Sequence, residues 1–468
     1  MPYLTSAVLG AALLCFAFLG LRARRAEGPL DDYVTARNSQ SARSLGISFL
    51  ASGMGAWILF APPEIGAMVG PLALLGYALG SALPLVVLSL YGPVIRRYLP
   101  EGRSIGEFAE ACYGAGVRRW VTLVSILYMG CFLAAELTAI GAIASLLSEV
   151  PSSAVVIGVA LVTLTYTAVG GLRASLATDR WQGWLLLALL ILVTGVVLWV
   201  LPPMPEQASL PQTPPVDALA VALTLVIAVT SAELFHQGYW QRVWAAEDQR
   251  ALGRGALLGG VGVLLVIMAI GGLGMLAVMH GLPLGEPPMP FFALLSEAPG
   301  WLAIPALVLA VTLVASSVDT LQTAIASLVV AGSGRSGLSV GAARLVTVGL
   351  MLPVVVIALQ ELSVLRLFLI ADLLCAATIV PVLLGVWRRM GSLAAMVGGM
   401  AGLVGAVVPG WWAQGSLLAG IQAASFPGGI PALAPFVGAL LASALVSVVI
   451  AMAWPAPRAS LTSDGGDA

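Results

Sequence analysis

The sequence predicts an all-α polytopic membrane protein of about thirteen transmembrane helices. Three observations predict it. Only 9% of the 468 residues are charged, against roughly 25% in soluble domains. Mean hydropathy is +1.02. Apolar runs of about 20 residues, the length that spans a bilayer, recur along the chain. A transmembrane barrel would instead show short alternating segments.

The first apolar run, 3–21, is followed by Arg22, Arg24 and Arg25 rather than by a small-residue cleavage site. It reads as a retained helix and not as a signal peptide. Charge and proline breaks place the next spans at 45–67, 70–95, 120–148, 152–170 and 181–201. The second half follows with 216–238, 255–280, 301–331, 341–360 and 367–387, then 391–409 and 433–454. All 21 basic residues are arginine. With the N-terminus outside and the C-terminus in the cytoplasm, every one of them except Arg366 falls on the cytoplasmic side, Arg242, Arg250 and Arg254 included. This orientation suits a multi-pass protein of the inner (plasma) membrane.

Stretches between spans stay under about 25 residues by this reading, which leaves no room for a kinase or nucleotide-binding domain. An ATP-driven pump and an enzyme are both excluded as expectations. Net charge is -1, with no basic stripe for nucleic acid. Cys15, Cys112, Cys131 and Cys375 are spaced singly and read as small apolar helix residues. His236 and His280 are too few and too far apart for a metal site.

Three segments carry a resemblance. TYTAVGGLRASLATDRWQGW (Thr165 to Trp184) closes one span and opens the next. HQGYWQRVWAAEDQRALGRGA (His236 to Ala256) and DDYVTARNS (Asp31 to Ser39) flank other spans. Together, in this order and spacing, they resemble the sodium:solute symporter family, which includes sodium-coupled proline, sialic acid and sugar symporters. The resemblance implies a LeuT-like core of two inverted five-helix repeats. It divides the chain into an N-terminal helix and loop (1–44), a first repeat (45–215), a second repeat (216–388), two C-terminal helices (389–455) and a cytoplasmic tail (456–468).

Within 45–67, FLASGMGAW (Phe49 to Trp57) is a weak helix centre, since Gly53 and Gly55 each cost about 1 kcal/mol relative to alanine. Unwound backbone in a membrane needs a partner such as a cation; close packing of small residues is the other reading. In 301–331, VASSVDTLQT sets two hydroxyls and a carboxylate at membrane depth, which is costly unless they are used. The resemblance places a first sodium site at the carbonyls of Ala51, Met54 and Leu313 with the hydroxyls of Ser316 and Ser317. It suggests a second sodium or proton site at Asp179, Ser316, Asp319 and Thr320. For Asp179 the plainer alternative is a helix-end aspartate pairing with Arg173 or Arg180. The aspartate that proline transporters of the family carry is replaced here by Gly53.

Glu64, Glu136 and Glu233 also lie at membrane depth, where a glutamate either finds a partner or stays protonated. Used functionally, such acids recognise an ammonium group or move a proton. Trp57 matches a substrate-side tryptophan of the family, and Trp57, Glu136, Thr230, Glu233 and Gln237 form the expected solute site. The resulting expectation is a secondary symporter that couples sodium influx to uptake of a small organic solute, with amino-bearing solutes favoured. Proton coupling on the same fold, or a solute sensor lacking its own kinase, are the alternatives. Sodium is the expected coupling ion, and no obligatory protein partner is evident.

Overall fold

The computed structural model describes residues 2–22, 34–206, 208–286, 288–332, 340–360, 364–427 and 431–455. The expected tail at 456–468, Arg458, Arg24, Arg25, Arg335 and the start of the Asp31–Ser39 segment lie outside those residues. The chain runs as α1 (Pro2–Arg22), α2 (Ala42–Gly53), a 3-10 turn (Ala56–Leu59), α3 (Ala61–Met68), α4 (Pro71–Tyr98), α5 (Ile105–Tyr113), α6 (Ala115–Leu147) and α7 (Ser152–Val200). It continues as α8 (Pro215–Glu233), α9 (Gln237–Ala245), α10 (Gln249–Met279), α11 (Pro290–Ser296), α12 (Ala303–Gly332), α13 (Val340–Ala358) and α14 (Val364–Leu383). α15 (Ser392–Gln414), α16 (Leu417–Ala424) and α17 (Leu433–Ala453) complete it.

Among the described residues, nine helices are long and apolar enough to cross a membrane, or ten with the bent pair at 42–68 counted as one span. The expected thirteen is reached only if α7 counts as two spans and the short apolar helices at 7–22 and 344–358 are added. α7 is bent at Gly171, whose φ of 58° and ψ of -150° are not helical. That is a conformation glycine adopts without steric cost, and it falls inside the Gly170–Gly171 motif.

Two helices are interrupted at membrane depth. α2 ends at Gly53, Met54 and Gly55 are extended, and the chain resumes at Ala56 after a 63° bend. The glycines that weaken the helix in sequence are where it breaks. α8 ends at Glu233 and α9 starts at Gln237, so the single span expected over 216–238 is broken. No glycine or proline marks that break. The Trp240 indole instead donates to the Leu234 carbonyl at 2.8 Å, meeting backbone demand that the helix left open.

α10 packs against α2, α3 and α4, while α12 packs against α6 and α7. α15 packs on both α16 and α17, α15 and α17 also pack on α14, with α17 further against α8 and α15 against α6. The interrupted helices α2 and α9 both meet α12, which brings polar side chains of three regions of the chain together.

Candidate cation and solute sites

Arg242, on α9, donates from its guanidinium to Asp179 Oδ2 at 2.8 Å, with both side chains fully buried. Ser48 of α2 donates to the same oxygen at 2.6 Å and accepts from Arg242 Nε at 2.8 Å. Ser316 of α12 donates to Asp179 Oδ1 at 2.9 Å. One carboxylate thus ties α2, α7, α9 and α12 together. Arg242, expected among the cytoplasmic-side arginines, is fully buried, and Asp179 pairs with it rather than with Arg173 or Arg180. A charge at this depth persists because the opposite charge and hydrogen bonds offset its lost hydration.

Asp319 occupies the adjoining part of the network. It accepts from Tyr166 at 2.7 Å, Ser175 at 2.8 Å and Thr178 at 3.0 Å, all from α7. Thr320 joins the two acids, lying 3.4 Å from Asp319 Oδ1 and from Arg242 Nη2. Asp179 and Asp319 therefore belong to one network. Asp179 has the arginine, whereas Asp319 is held by hydroxyls.

Beside them, Ala51 and Met54 flank the break at the end of α2, where last-turn carbonyls lose their helical partners. Leu313, Ser316 and Ser317 face the core from α12, which packs on α2. The Ser317 hydroxyl is buried without a hydrogen-bond partner among the described residues. Ser316 donates its proton to Asp179 and keeps lone pairs for another ligand. A hard cation is bound by such oxygen donors. Among the described residues no group of three or more His, Cys, Asp or Glu is placed to hold a metal ion.

Trp57 and Glu233 line a small, partly open pocket. Tyr77, Tyr128, Phe132 and Phe368 supply its other aromatic walls. Trp57 stacks on Tyr77 with centroids 5.6 Å apart and meets Phe368 edge-on at 6.2 Å. Glu233 Oε1 accepts from the Tyr128 hydroxyl at 3.3 Å, and its Oε2 is buried without a hydrogen-bond partner among the described residues. Asp372 of α14 supplies a second carboxylate to the lining.

The other residues expected at the solute site lie elsewhere. Glu136 Oε2 accepts the Ala56 N–H at 2.8 Å, capping the chain where it resumes after the α2 break. Gly55 makes room for it: a Cβ there would stand 1.9 Å from Glu136 Oε1. Thr230 donates to the Gly80 carbonyl at 3.1 Å. Gln237 donates to the Arg103 carbonyl at 2.7 Å and to Ser327 at 3.2 Å, and accepts from Ile105 N–H. Neither Thr230, Gln237 nor Glu136 lines the cavity. Sequence reading missed Asp372, although it sits mid-span in 367–387 and the argument from membrane-depth acids applies to it unchanged.

A latch lies close to the Arg242 pair. The N–H groups of Asn38, Ser39 and Gln40 donate to the Trp244 and Ala245 carbonyls at 2.8–3.1 Å, and Glu247 N–H returns a bond to Gln40. Arg37 also holds the carbonyls of Pro100 and Gly102. The segment after α1 is thereby fastened to the end of α9.

No family model matches the chain. It is 30% identical over 396 residues to the spermidine transporter DUR31 of Candida albicans, covering 81% of this chain and 75% of that protein. Among solved structures, a Na+-coupled sialic acid symporter in a substrate-bound outward-open state aligns with a TM-score of 0.78. The alignment covers 98% of this chain and 99% of the other, at 16% identity. Mhp1, a nucleobase-cation-symport-1 family transporter, aligns with a TM-score of 0.58 over 90% and 94%, also at 16% identity. A manganese transporter of Eremococcus coleocola gives 0.53 over 91% and 97%, at 15% identity. These likenesses show the fold, the LeuT-like inverted-repeat architecture.

Proposed function

The chain belongs to the transporter family of the Candida albicans spermidine transporter, and from that premise we propose that it couples sodium influx to uptake of a small amino-bearing solute. It is a transporter of small solutes and not an enzyme. One observation carries the solute class: the cavity is lined by two carboxylates and by aromatic rings, with no basic side chain. An ammonium group matches both surfaces, by charge at Glu233 and Asp372 and by cation–π attraction at the rings.

Sodium coupling rests on the Ser317 hydroxyl, buried without a partner among the described residues on α12, which packs on the interrupted α2. Ala51, Met54, Leu313, Ser316 and Ser317 form the first site in this reading. Sodium bound there links α2 to α12, and solute entering beside Trp57 completes the loaded state. Repeats at 45–215 and 216–388 each open with an interrupted helix, α2 with α3 and α8 with α9. Alternating access then moves one helix bundle against the other, with the latch at 38–40 and 244–247 parting when the Arg242 end opens. In the plasma membrane, with the N-terminus outside, that end faces the cytoplasm.

Proton coupling is the second reading, favoured by Asp319, whose partners are hydroxyls rather than a cation. A thermal-stability panel on the purified protein separates the readings. Amines should stabilise it more in sodium than in potassium at fixed pH. Stabilisation that follows pH and ignores sodium would favour the proton, and stabilisation by sugars or carboxylates alone would reject the amine.

A further inference from the structure

The two carboxyl groups of the cavity come from different helices, and neither has a basic partner among the described residues. Glu233 ends α8 and is 6% exposed, and Asp372 lies within α14 and is 5% exposed. Glu233 Oε2 has no hydrogen-bond partner among the described residues. Asp372 makes no hydrogen bond or ion pair among the described residues. Arg242, the fully buried arginine, is committed to Asp179, Ser48 and the Gly238 carbonyl. A solute with a single positive charge can pair with one of these acids and leaves the other to stay protonated, whereas a dication can pair with both.

Trp57, Tyr77 and Phe368 line the same pocket as the two acids, and aromatic faces suit both a methylene chain and the ammonium groups at its ends. Beyond Trp57, Glu136 occupies the start of the resumed helix by accepting the Ala56 N–H. In other LeuT-like transporters a half-helix N-terminus faces an anionic substrate group. Here the protein's own carboxylate takes that position.

We infer that Glu233 and Asp372 form a two-point site for a linear organic dication or polycation without a carboxylate, one ammonium group at each acid. This rests on the amino-bearing reading above and narrows it, and it gives Asp372 a role in specificity.

The test is equilibrium binding to the full-length protein in lipid nanodiscs with sodium present. The probes are n-butylamine, 1,4-diaminobutane, spermidine and 4-aminobutyrate. Diaminobutane should bind at least tenfold tighter than butylamine, about 1.4 kcal/mol, and 4-aminobutyrate more weakly than butylamine. Asp372→Asn and Glu233→Gln should each reduce the diamine-to-monoamine ratio below about threefold. Asp372→Glu, which advances the carboxylate by one methylene, should move the preference to a shorter diamine. Equal wild-type affinity for butylamine and diaminobutane would overturn the two-point site while leaving the amine reading intact. So would an unchanged ratio in both neutral variants. Failure of the wild type to bind any amine would overturn both.

Discussion

Arg242 and Asp179 form a fully buried ion pair at 2.8 Å between the short helix after the α8 break and the helix after the Gly171 bend. The pair joins two segments 63 residues apart that are both among the motifs of the sequence. Removing one partner strands a charge, which costs about 3–5 kcal/mol, whereas removing both removes the charge problem as well. Asp179→Asn and Arg242→Gln should each lower the unfolding temperature sharply in detergent. The double variant should be more stable than the sum of the two losses implies. Strictly additive losses would mean that the two side chains do not depend on each other.

In the proposed first cation site the side-chain ligands are Ser316 and the Ser317 hydroxyl, which is buried without a partner among the described residues. Ser316→Ala with Ser317→Ala should raise the sodium concentration for half-maximal uptake at least tenfold, about 1.4 kcal/mol. Sodium activation curves in reconstituted vesicles measure this, and superimposable curves would remove these serines from the site.

Much of this was legible in sequence, for identifiable reasons. Long apolar runs and a charged fraction of only 9% gave the helical membrane class, and Gly53 with Gly55 located the α2 break because glycine weakens helices intrinsically. The α8 break was not legible, because tertiary bonding through Trp240 holds it rather than a helix-breaking residue. Arg242 was counted with Arg250 and Arg254 on the cytoplasmic side, and its burial against Asp179 was not legible because the partner lies 63 residues away in sequence. Glu136 and Gln237 were recognised as unusual polar residues, but spacing along one helix does not say whether the partner is a solute, a backbone N–H or a loop carbonyl.

Gly55 and Glu136 make a second coupled pair. Gly55→Ala puts a methyl 1.9 Å from Glu136 Oε1 and must displace the carboxylate from the Ala56 N–H. Loss of that buried hydrogen bond should cost about 1–3 kcal/mol. In a Glu136→Ala background the cap is already gone, so Gly55→Ala should add little. Unfolding temperatures of the four-member cycle check this, and an undiminished Gly55→Ala effect would point to strain in the backbone instead.

The latch between Gln40 and Ala246, neighbours in a parallel bridge, should have to part for transport. Cysteines at both positions, in a background lacking the four native cysteines, should oxidise to a disulfide that stops uptake, and reductant should restore it. Full transport by the cross-linked protein would show that this contact stays closed through the cycle.

The central claim is coupling of sodium flow to amine uptake, and labelled-spermidine flux into proteoliposomes tests it most directly. An inward sodium gradient should concentrate spermidine above its external level, replacement of sodium by potassium should abolish the accumulation, and Ser316→Ala with Ser317→Ala should shift its sodium dependence. Spermidine accumulation that is the same in sodium and potassium, or no spermidine entry by a protein that accumulates another solute on the sodium gradient, would contradict it.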